Sequence, residues 1–141
     1  MTDCRSLDLA GWTVPEAGCH PVMGKRILLV DDQEDVRLTL RLLLSVDDHT
    51  IVEASNGREA LDLFAPGKFD IVITDFVMPE MKGDELAKQI KRICPWQRIL
   101  MVTGSSGELA PRGLRVDALL EKPFDFASLR SALARLMNAN G

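Results

Sequence analysis

Residues 26–35, RILLVDDQED, set a short apolar run directly against two adjacent carboxylates, Asp31 and Asp32. Such a run bounded by charge reads as a buried strand. A strand that ends on like charges needs a reason: two unit charges about 4 Å apart repel by roughly 4 kcal/mol at an effective dielectric of 20. The rest of the chain has to supply what makes that pair tolerable.

The pattern recurs. TIVEA (50–54), DIVITD (70–75), RILMVT (98–103) and VDALLE (116–121) have strand length and are bounded by charges or turn residues. Between them the apolar spacing turns helical. Val36, Leu40, Leu43 and Leu44 form one stripe, and Leu86, Ile90 and Ile93 form another. Asn56 with Glu59 reads as a reciprocal cap opening a helix through Ala60, Leu61 and Phe64. Asp125 reads as the cap of a last helix carrying Phe126, Leu129, Leu133 and Leu136.

Alternating strands and helices predict an α/β fold: a doubly wound, five-stranded parallel sheet with helices on both faces and RILLV as its central strand. Continuous apolar runs suit strands covered on both sides. The exception is GSSGELAPRGL (104–114), where Pro111 and Gly113 predict a short or irregular fourth helix.

The chain has 141 residues, enough for one ordinary domain with its own core. Apolar residues make up 46% and charged residues 27%, which excludes a disordered chain. A net charge of −4 without a basic cluster argues against direct nucleic-acid binding. No stretch has membrane-span length, so no membrane insertion is expected. Cys4, Cys19 and Cys94 are too scattered for a disulfide framework or a zinc ribbon, and cytoplasmic residence is the simple expectation. Residues 1–24, with Pro15, Pro21 and three glycines, read as a mobile leader before a domain at 25–138 and a tail at 139–141. Met23 is an alternative start. Cys19–His20 lacks a second close Cys/His pair for a metal, His49 reads as structural or solvated, and Cys94 as loop packing.

In a sheet of this kind ligands bind beyond the carboxyl ends of the strands. There the sequence places Asp31, Asp32, Asp75, Thr103 and Lys122. A single ammonium leaves the three carboxylates net negative. An all-oxygen set of this size suits Mg²⁺, which completes its shell with water and phosphate oxygens. The plainer reading of the Asp31–Asp32 pair is capping of the first helix, through Asp32 with Asp35 three residues on, and the two roles can coexist.

LLVDDQ, ITDFVMPEMKG, MVTG and EKPF, in this order, resemble the receiver domain of two-component response regulators, over everything but the leader. The spacing D-x-x-M-P-x-M-x-G from Asp75 to Gly83 is the most specific part. The resemblance implies a flavodoxin-like fold of strand order 2-1-3-4-5. It makes Asp75 the phosphoacceptor, fed by a histidine kinase or histidine phosphotransfer protein. Asp32 becomes a direct Mg²⁺ ligand and Asp31 an outer or water-mediated one, with Asp75 and the backbone carbonyl of Val77 completing the metal site, and Thr103 and Lys122 become the groups that meet the phosphoryl oxygens. It further implies a cis Lys122–Pro123 bond, tuning of hydrolysis by Val77 and Ser105, and a switch in which Thr103 moves toward the phosphate.

This chain departs from the pattern in two ways. Leu119 stands where the family usually has an aromatic residue, and the interval from Thr103 to Lys122 is short. The output implied is contact with a downstream protein, with phosphorylation-dependent dimerisation as one form of it. Other readings stay open: a fragment of a larger regulator or hybrid kinase, a phosphate-independent interaction module, or a haloacid-dehalogenase-like phosphatase. That phosphatase family, however, carries its nucleophile on the first strand.

Overall fold

The computed structural model describes residues 23–104 and 116–138. In chain order it contains β1 (Arg26–Val30), α1 (Glu34–Ser45), β2 (Thr50–Ala54), α2 (Gly57–Leu63), β3 (Ile71–Asp75), α3 (Gly83–Ile93), β4 (Arg98–Thr103), β5 (Ala118–Glu121) and α4 (Phe126–Asn138). All pairings are parallel, in the order β2-β1-β3-β4-β5. The expected fold class and strand order are therefore found. β1 is an interior strand between β2 and β3, whereas the middle of the sheet is β3. The leader up to Val22, nearly all of the expected irregular fourth helix and the tail at 139–141 lie outside the described residues.

Side-chain alternation divides the core between the two faces of the sheet. Ile27, Leu29, Ile71, Ile73, Leu100 and Val102 pack with Leu40 and Leu44 of α1 and with Leu129, Leu133 and Leu136 of α4. Leu28, Val30, Val72, Ile99 and Met101 pack on the other side with α2 and α3. Each fully buried Leu or Ile contributes about 1.5–3 kcal/mol relative to exposure. A one-residue slip would exchange the two sets, so the packing on each face fixes the register.

Local signals set the helix ends. Asn56 Oδ1 accepts the Glu59 N–H at 2.7 Å, and Glu59 Oε1 accepts the Ser55 N–H at 2.8 Å, so the reciprocal bond returns one residue earlier than a strict capping box. Asp125 Oδ1 accepts the Ser128 N–H at 2.8 Å, as expected of a cap. The stripe on α3 departs from the expectation. Leu86, Ala87, Ile90 and Cys94 are buried, while Ile93 is 51% exposed. The face has rotated toward Ala87 and Cys94, leaving Ile93 beyond its edge. His49 is buried, and its Nδ1 accepts the Lys25 N–H at 3.0 Å, a structural role. Cys94 is a buried free thiol at the end of α3, consistent with packing.

Candidate functional site

The strand order reverses between β1 and β3, and the acidic residues lie at the carboxyl ends of those two strands. Asp31 directly follows β1. Its N–H donates to the Ala54 carbonyl at 3.2 Å, and its Oδ1 accepts the Gln33 N–H at 2.9 Å. Asp75 is the last residue of β3. One carboxylate oxygen from each of Asp31, Asp32 and Asp75 lies within 4.8 Å of the others. The N-cap of α1 is Gln33, without a side-chain capping bond, and the carboxylate on the turn is that of Asp31. Capping therefore does not explain Asp32, which is exposed beside the cluster.

The other two groups arrive from β4 and β5. Thr103 ends β4 and is buried, and its carbonyl accepts the Lys122 N–H at 2.8 Å. That bond seats Glu121–Lys122 beside the end of β4. The Lys122–Pro123 bond is cis, and Lys122 Nζ lies 3.3 Å from Asp75 Oδ1. Val77 and Leu119 are 47% and 45% exposed, so neither side chain belongs to the core. Ser105 lies outside the described residues.

Burial dominates the charge state of this pocket. It pushes the Asp31 carboxyl up to about 6, against the pull of the Gln33 N–H, with the nearby Asp75 charge adding to the rise. Burial also raises Asp75 above the ordinary carboxylate range, opposed by the Lys122 ammonium. One ammonium does not offset the crowding. Three converging carboxylates, two of them buried, form an oxygen site suited to a hard divalent cation.

Sequence reasoning named the carboxylates but not what holds them. A Cβ on Gly83 would run into the backbone carbonyl oxygen of Asp75 and lie 2.9 Å from Phe76 Cα. The Gly83 N–H donates to the Phe76 carbonyl at 2.9 Å, so α3 begins in direct contact with the end of β3. A glycine at a helix start, where a helix former would be expected, is the signal that could have shown this. The Thr74 hydroxyl, fully buried, donates to the Asp75 carbonyl at 3.0 Å. Arg37 Nη1 donates to the Asp31 carbonyl at 2.6 Å. Nothing local in the sequence signals that bond, because it depends on how α1 lies against β2.

The family model for the response regulator receiver domain matches residues 27–134. The chain belongs to that family. The receiver protein CpdR of Brucella abortus is 33% identical over 121 residues, covering 82% of this chain and 98% of CpdR. The autoinducer 1 sensor kinase/phosphatase LuxN of Vibrio campbellii is 32% identical over 116 residues, 81% of this chain. The chain spans only 14% of the length of LuxN. The solved structure of the response regulator TrrA from Thermotoga maritima, in complex with Mg²⁺ and BeF, superposes with a TM-score of 0.73 at 34% identity, covering 79% of this chain and 98% of that one. Receiver domains are phosphoacceptors of two-component signalling rather than metabolic enzymes, and the acidic pocket fits a divalent-cation site. Among the described residues no helix is long and apolar enough to cross a membrane.

Proposed function

We propose that residues 25–138 form a receiver unit that takes a phosphoryl group onto the Asp75 carboxylate. The donor is a phosphohistidine on a histidine kinase or histidine phosphotransfer protein in the cytoplasm. An Asp75 oxygen attacks phosphorus, the P–N bond breaks, and the imidazole leaves with a proton. Phosphoryl transfer depends on neutralising charge around the phosphoryl oxygens more than on covalent chemistry by the protein. Lys122, already 3.3 Å from Asp75, supplies one positive charge, and the Thr103 hydroxyl supplies a donor at the neighbouring strand end. Asp31, Asp32, Asp75 and the Val77 carbonyl would hold Mg²⁺, which would supply the remaining positive charge for phosphoryl transfer.

The observation that carries this reading is the convergence of the three carboxylates within 4.8 Å, with Lys122 on Asp75. The related TrrA, solved with Mg²⁺ and BeF, supports the same chemistry. The output is a protein contact, altered when Thr103 moves toward the phosphate, and dimerisation is the form most easily scored.

Incubation with Mg²⁺ and acetyl phosphate, followed by intact mass, tests the proposal. The expected result is the added mass of one phosphoryl group on the parent and none on Asp75→Asn. An unmodified parent would overturn it. Ultracentrifugation of the modified protein then reads the oligomeric state.

A further inference from the structure

The acidic pair sits on a turn, and a turn holds two carboxylates at fixed positions only if its own backbone is fixed. On the β2 side the ladder continues through the Asp31 N–H to the Ala54 carbonyl, whereas the paired register of β1 with β3 stops at Val30 and Thr74. Beyond that point the Asp31 side chain is held by the Gln33 N–H and its carbonyl by Arg37 Nη1 at 2.6 Å. Arg37 also donates its own N–H to the Gln33 carbonyl at 3.1 Å. The segment from Asp31 to Arg37 is thereby closed on itself from both ends.

The guanidinium is in turn anchored. Its Nε donates to Glu53 Oε1 at 3.1 Å, and Glu53 receives Arg41 on its other oxygen at 2.8 Å. Glu53 stands on β2, in register with Leu29 of β1. The Arg37 side chain is only 15% exposed, so its bonds are shielded from water. The planar fork lets one residue hold a β2 carboxylate and the Asp31 carbonyl together, which a lysine ammonium does less well.

We propose that Arg37, anchored through Glu53 on β2, is a positioning residue for the Asp31–Asp32 turn and sets the pocket's affinity for its divalent cation. This rests on the reading of the acidic pocket as a cation site. Charge and positioning predict opposite signs. Arg37 repels a cation electrostatically, so if only its charge mattered, Arg37→Met would bind Mg²⁺ as tightly as the parent or more tightly. If it positions the turn, the same variant binds more weakly, by about tenfold as for other groups that orient metal ligands.

The experiment is a calorimetric titration of the full chain with Mg²⁺ alone, joined to amide hydrogen exchange at Gln33 in the metal-free protein. Expected are weaker Mg²⁺ binding and faster Gln33 exchange in Arg37→Met, an intermediate result in Arg37→Lys, and less than about a twofold change in Arg41→Met, which leaves the Asp31 carbonyl bonded. Parental or tighter Mg²⁺ affinity in Arg37→Met, or Gln33 exchange at the parental rate, would overturn the proposal. A parent that binds no Mg²⁺ would overturn the cation-site reading itself, and Gln33 exchange would still judge the hold of Arg37 on the turn. Should Arg37→Met fail to fold, Arg37→Lys decides by the same two readouts, parental values in either counting against the proposal.

Discussion

At the scale of single residues, Asp31 carries the main electrostatic tension. Its carboxyl is pushed by burial to about 6, so near neutrality it is an anion in a place that favours the neutral acid. A cation bound there competes with protons. Mg²⁺ affinity is therefore expected to fall as pH drops through about 6, with proton uptake by the pocket. Calorimetry in buffers of differing ionisation enthalpy checks this, and equal affinity and no proton release at pH 5.5 and 8 would contradict it. Val77 is the other residue with a distinct expectation. Its exposed side chain, two residues after Asp75, is apolar and cannot hydrogen-bond a water, so Val77→Asn is expected to lose the acyl phosphate several-fold faster, as followed by the decay of the phosphorylated mass.

At the scale of elements, α3 begins in direct contact with the end of β3, the Gly83 N–H on the Phe76 carbonyl. Because a Cβ at Gly83 meets backbone atoms and not a flexible side-chain tip, Gly83→Ala must push α3 away from Asp75. We expect a loss of about 1–3 kcal/mol in urea unfolding, the usual cost of overpacking. Phosphorylation from acetyl phosphate should slow as well. A variant as stable as the parent would show that α3 gives way freely.

Periodicity showed where α3 lies, since Leu86 and Ile90 are indeed buried. It misplaced Ile93 because the buried face follows Ala87 and Cys94, and a small residue or a cysteine carries little weight in an apolar stripe. The caps at Asn56 and Asp125 were legible because each is a bond between residues three apart. Gly83 was legible as the last residue of a motif but not as a contact, and Arg37 not at all, because their partners depend on helix placement against the sheet.

At the scale of the whole molecule, the parallel sheet and the converging site were legible because alternating elements admit few topologies and charges at strand ends must meet on one edge, whereas the strand order came from the family resemblance. The pocket should also mark the stability of the metal-free protein. Asp31 is raised from 3.8 to about 6, so the stability it contributes is fully present below about 4 and lost as pH rises through about 6. By linkage that loss is about 3 kcal/mol at most. Asp31→Asn removes the titration. The stability of parent minus variant, from urea unfolding without Mg²⁺, is thus expected to decrease from pH 4 toward pH 8. A difference that stays flat would show that burial does not raise this carboxyl.

The central claim is that Asp75, among all the carboxylates brought together here, carries the phosphoryl group. Borohydride reduction of the protein after exposure to Mg²⁺ and acetyl phosphate converts an aspartyl phosphate to homoserine, and peptide mass spectrometry locates it. Homoserine is expected at position 75, and only when both Mg²⁺ and donor were present. Reduction at Asp31, Asp32 or any other residue, or at none, would contradict that claim.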